Sequence, residues 1–177
     1  MSKKILAIEG SPRKGGNSDL LCDAFLKGAS DSGNETEKIY IQDLNLQPCM
    51  ACYGCRGTEK CVQKDGMPQV LEKKMAADVI FLATPVYFYS LSGQMKVFID
   101  RCLPKYEKIR RKDFYFAATA ADDNMQLERT FDALAGFTDC LPWSNVKGKI
   151  YGGGFYEKGA IKGSRAEQEA YEMGRKA

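Results

Sequence analysis

The chain has 177 residues, 44% hydrophobic and 28% charged, and its net charge of +3 comes from 26 basic and 23 acidic side chains. That charge is too mild for nucleic-acid binding, and the longest apolar run, Val79 to Leu91, is too short for a membrane span and is broken by Pro85. The chain has no histidine, which excludes a His general base, a Ser-His-Asp triad and a His-ligated metal.

Ile5-Leu6-Ala7-Ile8 is a continuous apolar run and reads as a strand buried on both faces. Gly10 to Ser18 is a loop of small and polar residues. The helix after it carries Leu20, Leu21, Ala24 and Phe25 on one face, with Asn17 or Ser18 as its N-cap. Glu37 to Ile41 is the second strand. Residues 46–64 form an irregular, Cys-rich loop, after which Asp65 caps a helix with Met67, Val70, Leu71 and Met75 on its apolar side. Val79 to Ala83 is the third strand. It leads into a loop from Thr84 to Ser90, since Pro85 is expected to end a central strand. Met95, Phe98, Ile99 and Cys102 mark the next helix. Phe114 to Ala118 is the fourth strand, and a helix opening at Asp122 or Asp123 presents Leu127, Phe131, Leu134 and Ala135. Lys149 to Tyr151 is the fifth strand, and the last helix starts at Ser164 with Glu167 in a capping box. Strands alternate with helices about five times, so the chain reads as one α/β domain over residues 1–177, a doubly wound parallel sheet with helices on both faces.

In such a sheet ligands bind at the carboxyl ends of the strands. The first of these ends is Gly10-Ser11-Pro12-Arg13-Lys14-Gly15-Gly16-Asn17-Ser18. Backbone N–H groups at the start of a helix favour an anion, and the helix dipole adds to this. Ser11, Asn17 and Ser18 can add donors and Arg13 adds charge, while Gly15 and Gly16 let the backbone come close. The loop matches neither the NTPase P-loop nor the G-x-G-x-x-G of dinucleotide sites. A monophosphate suits it better; a Gly-rich surface turn is the plainer reading.

The same loop resembles the phosphate loop of the NADPH-dependent FMN reductase family. Thr84-Pro85-Val86-Tyr87-Phe88 and Gly93 to Arg101 resemble that family's flavin-side loop and following helix, and the likeness runs over nearly the whole chain, Gly148 to Gly163 included. The resemblance implies a flavodoxin-like fold with a five-stranded parallel sheet. It implies FMN with its phosphate on Ser11, Arg13, Gly16, Asn17 and Ser18 and its ring against Pro85, Val86, Tyr87 and Phe88. No catalytic side chain is implied, because the flavin carries the chemistry. NAD(P)H is the expected reductant, with a small molecule such as a quinone or flavin as acceptor. A homodimer or homotetramer is implied, with Tyr87 to Leu91 near the interface. No signal peptide fits Lys3-Lys4 and the strand after them, so a cytoplasmic protein is expected.

Seven cysteines remain, and a disulfide framework is not expected in a reducing compartment. Cys22, Cys102 and, less firmly, Cys140 read as small buried hydrophobes. Cys49, Cys52, Cys55 and Cys61 lie on one short loop that can wrap a metal centre. This spacing resembles the iron–sulfur flavoprotein branch of the family, which implies a [4Fe-4S] cluster on those four residues and single-electron exchange with a ferredoxin-like partner. A four-thiolate zinc, free or paired thiols, and a loop that has lost its cluster to air stay open beside it.

Overall fold

A computed structural model describes residues 2–123 and 127–177. Strands β1 (Lys4–Glu9), β2 (Glu35–Tyr40), β3 (Val79–Tyr87), β5 (Asp113–Thr119) and β6 (Asn145–Gly152) form a parallel sheet in the order β2-β1-β3-β5-β6. A two-residue strand, β4 (Ser90–Leu91), pairs antiparallel with the end of β3. The order reverses between β1 and β3, which makes that point the topological switch of a doubly wound sheet.

Strand alternation separates two apolar layers. Ile5, Ala7, Val79, Phe81, Ala83, Tyr115 and Ala117 face helices α1 (Asn17–Asp31) and α5 (Arg165–Lys176). Leu6, Ile8, Ile80, Leu82, Phe114 and Phe116 face α2 (Met67–Ala76), α3 (Gly93–Asp100) and α4 (Glu128–Asp139). Each layer uses the pleat of the same strands, so three central strands read as unbroken apolar runs.

Helices α1 and α5 touch through backbone. A Cβ on Gly28 would lie 2.0 Å from the Tyr171 carbonyl oxygen, and one on Gly174 would lie 1.9 Å from that of Phe25. Glycine at both positions is what allows this approach. At the other end of α5, Ser164 accepts from the Glu167 N–H as expected, and the Glu167 carboxylate accepts from the Gly163 N–H.

Several boundaries differ from expectation. Strand β3 runs through Pro85 to Tyr87. The Ala83 carbonyl accepts from the Gly10 N–H at 2.8 Å, where β1 is about to turn away. By the two-residue alternation, Pro85 presents its missing N–H on that same side, beyond the last β1 pairing at Glu9–Ala83. Its other side still pairs with β5 through Thr119. The proline therefore removes no ladder bond. Residue Gly16, not Asn17 or Ser18, is the N-cap of α1, with no side-chain cap. Asp65 does bond the Met67 N–H, although Gly66 holds the N-cap position of α2. Helix α4 starts at Glu128 rather than at Asp122 or Asp123; residues 124–126 between them lie outside the described residues. Strands β2 and β6 are longer than the apolar pattern suggests, because edge strands carry charged residues on open faces.

Among the described residues no helix is long and apolar enough to cross a membrane.

Candidate functional site

The switch point opens into a cleft of about 470 Å³. Its walls come from three strand ends. The β1–α1 turn gives Ser11, Arg13, Gly16, Asn17 and Ser18, and the end of β3 gives Pro85, Val86 and Tyr87. Thr119 and Ala120 follow β5, and Phe155 to Lys158 follow β6. Two loops expected separately, 74 positions apart in sequence, thus meet across one cavity of the size and mixed polarity that suit a cofactor.

Its floor is tied together by short polar contacts. Ser92 caps α3, accepting from the Met95 N–H at 3.1 Å, and donates its hydroxyl to the Gly10 carbonyl at 2.7 Å. Thr84 accepts from the Ser92 N–H at 3.0 Å. The turn after β1 and the helix after β3 are therefore held as one unit. The Ser11 hydroxyl accepts from the Arg13 N–H, leaving its own proton to donate.

Two expected donors are committed elsewhere. Asn17 donates to the Phe155 and Glu157 carbonyls, both at 3.0 Å, and accepts from the Ile161 N–H. Its side chain fastens the β6–α5 loop to the β1–α1 turn. The Ser18 hydroxyl donates to Glu9 at 2.7 Å. What these residues offer the cleft is backbone. Phe88 is fully exposed and does not line the cleft. It shares the β3–β4 turn with Tyr89, and both have φ in the left-handed region, 49° and 59°. Two such residues between the paired Tyr87 and Ser90 mark a primed hairpin turn, a conformation that aromatic side chains rarely adopt. Leu91, expected at an interface, is buried, whereas Tyr87, Phe88 and Tyr89 are exposed.

Residues Thr119, Ala120 and Phe155 to Lys158 escaped the sequence reading. The signals for them are weak: each follows the carboxyl end of a strand, the run Gly152-Gly153-Gly154 marks the last of these ends, and Phe155 to Lys158 fall within the family-like stretch Gly148 to Gly163 without a residue being singled out there.

The cysteine loop is anchored from one side. Arg101, 1% exposed, donates to the Asp65 carboxylate at 2.7 and 3.1 Å, to the Gln47 carbonyl at 2.8 Å and to Gln63 at 2.9 Å. It also reaches the Cys61 sulfur at 3.6 Å, and its Nε is buried without a partner among the described residues. All four loop cysteines line one small pocket with Arg101. No three of them gather into a ready metal site among the described residues. Four thiols and a spare N–H donor fit the chemistry of a thiolate-ligated centre, which the loop could hold only by drawing its sulfurs together. Cys22 and Cys102 are buried as expected, but Cys140 is exposed: it stands at the C-cap of α4, past the apolar face.

The sheet order and the cleft at its switch point define a flavodoxin-like protein. Residues 3–154 match the family described as NADPH-dependent FMN reductase, and the chain belongs to that family. It is 32% identical over 177 residues to an iron–sulfur flavoprotein of Methanosarcina thermophila, covering 96% of this chain and 87% of that one. To an iron–sulfur flavoprotein of Methanocaldococcus jannaschii it is 36% identical over 136 residues, 76% of this chain and 70% of the other. An azoreductase structure from Bacillus anthracis superposes over the whole of both chains with a TM-score of 0.77 at 13% identity, a likeness of fold alone.

Proposed function

We propose that the chain is a single-domain FMN oxidoreductase that takes reducing equivalents from NAD(P)H and delivers them to a small acceptor such as a quinone or a flavin. The observation that supports this most is the cleft. It joins the β1–α1 turn, with its helix N-terminus and Arg13, to a ring-sized wall of Pro85, Val86 and Tyr87. The backbone N–H groups of the turn, the Ser11 hydroxyl and Arg13 suit a phosphate. Tyr87 and the β3 backbone suit a flat ring with polar edges. The chemistry a bound FMN supplies is hydride acceptance and onward electron transfer. The side chains around it position the ligands and exclude water, and no histidine is needed for that.

The test is anaerobic. Purified protein loaded with FMN is mixed with NADPH, and rapid bleaching of the flavin band is the expected result. Protein that takes up FMN but bleaches only with reduced ferredoxin would favour a second reading, an iron–sulfur electron carrier. That reading is supported by the four thiols lining one pocket beside Arg101 and by the two iron–sulfur flavoprotein relatives. Cys49, Cys52, Cys55 and Cys61 would hold the [4Fe-4S] cluster, whose chemistry is single-electron exchange. The exposed Tyr87, Phe88 and Tyr89 support a homodimer or homotetramer formed at the mouth of the cleft. A cytoplasmic location accords with thiols kept reduced.

A further inference from the structure

The last residue of β1 is a glutamate with no exposure to solvent. Glu9 Oε1 accepts from the Ser11 N–H and from the Ser18 hydroxyl, both at 2.7 Å. Its Oε2 accepts from the Cys22 thiol at 3.3 Å. Both donors to Oε1 belong to residues that line the cleft. A buried carboxylate thus sits one residue behind the turn assigned to a phosphate. Among the described residues no lysine or arginine donates to it. The charges nearest to it are occupied. Asp19 of α1 accepts from the Gly15 N–H and from Lys38 of β2, and Lys38 also pairs with Asp23. Tyr40 donates to Asp19 as well. Arg13 and Lys158 stand at the cleft itself, and β3, which pairs with Glu9 through Ala83, brings one titratable group, the Tyr87 phenol at the cleft wall.

We propose that Glu9 is the positioning residue of the phosphate turn and that it takes up a proton when the phosphate of FMN is seated there. The inference rests on the FMN reading of the cleft. As an anion, Glu9 orders the turn by holding Ser11 and Ser18. A phosphate dianion placed against the same turn repels that anion, and the low-polarity surroundings strengthen the repulsion. Burial already pushes the carboxyl up to about 7, against the opposing effect of its three hydrogen bonds. The group is therefore near balance at neutral pH, and a second anion tips it. The incoming proton goes to Oε2. Cys22 then turns from donor to acceptor, and Oε1 keeps its bonds to Ser11 and Ser18. Burial and the neighbouring carboxylate keep the Cys22 thiol itself protonated.

Between pH 7 and 9 the FMN phosphate is a dianion throughout, its second pKa being about 6. Any proton taken up in that range belongs to the protein. Linkage then sets the sign: binding that takes up protons weakens as pH rises, by at most about tenfold per unit for one proton. Calorimetry of apoprotein with FMN at pH 8, in two buffers of different ionisation enthalpy, should show proton uptake. The FMN dissociation constant should rise several-fold per unit from pH 7 to 9. Riboflavin, which has no phosphate, should show neither effect, and Glu9→Gln should bind FMN with a flat profile. FMN binding without proton uptake, or an unchanged slope in E9Q, overturns the proposal. If E9Q does not fold, difference infrared spectra of wild-type protein with labelled glutamate decide instead: gain of a protonated carboxyl band with FMN supports it, and no change overturns it. If FMN and riboflavin bind equally at every pH, or FMN does not bind, it is the FMN reading of the turn that fails.

Discussion

Two fully buried cations, Lys74 and Arg101, sit on the same side of the sheet and carry opposite expectations. Among the described residues the Lys74 ammonium reaches the Cys102 sulfur, at 3.3 Å, and the faces of Phe98 and Phe137, at 4.8 and 4.4 Å. No carboxylate pairs with it among the described residues, and burial, only partly offset by Cys102, lowers its pKa from 10.5. The folded state therefore binds this proton less tightly than the unfolded chain. Stability should rise with pH from the lowered value up to about 10.5 and then level off. Lys74→Met should raise the urea-unfolding free energy by about 1–3 kcal/mol at neutral pH and abolish that rise. Arg101 is the reverse case, with its Asp65 partner itself nearly buried at 10% side-chain exposure. Arg101→Leu leaves that carboxylate and the ends of the cysteine loop uncompensated. It should cost about 3–5 kcal/mol in the same measurement. Neither residue announces itself in the sequence. Lys74 lies in a run, Glu72-Lys73-Lys74, that looks like a solvated helix face. Arg101 looks like an ordinary helix C-terminal cation until the fold brings Asp65 to it.

At the scale of elements, apolar period was a sound guide and local backbone chemistry was not. The apolar faces of α2 and α3 were legible from spacing, Lys74 apart: Met67, Val70, Leu71, Met95 and Phe98 are buried, Met75 and Ile99 half-buried, and Cys102 is buried just past the end of α3. The extent of β3 was not, because whether Pro85 breaks a strand depends on where β1 ends, a fact of tertiary structure. Nor was the fate of Asn17 legible, since its partners lie about 140 residues away. The α1–α5 contact gives a prediction of its own. Gly28→Ala or Gly174→Ala must separate the two helices, because backbone oxygen occupies the space a methyl would need. Each should lower stability by about 1–3 kcal/mol or more, and thermal unfolding measures it. An alanine at Gly136, where nothing lies within 4 Å of the new methyl, is the matched control and should be neutral or slightly stabilising.

For the molecule as a whole, the fold was legible and the cleft half legible. The β1 and β3 walls carry motifs, whereas the β5 and β6 walls consist of residues without a distinctive chemistry, so only topology reveals them. The cysteines divide in a way that tests the whole arrangement. Cys49, Cys52 and Cys140 are exposed, Cys55 and Cys61 are half-buried, and Cys22 and Cys102 are buried on opposite layers of the sheet. Metal-free native protein should release five thiol equivalents to a disulfide reagent, and the other two only on denaturation. Protection of the four loop thiols after anaerobic iron and sulfide reconstitution, with Cys140 still reactive, is the pattern expected of a bound cluster.

The backbone-to-backbone seam between α1 and α5 also bears on biosynthesis. Helix α5 follows β1, β3 and β5 in chain order, so it leaves the ribosome after the strands it packs against. Until residues 165–176 emerge, the oily layer built from β1, β3 and β5 is covered by α1 alone. The nascent chain thus passes through an interval in which its sheet is formed yet sticky, and closing that seam is what ends it.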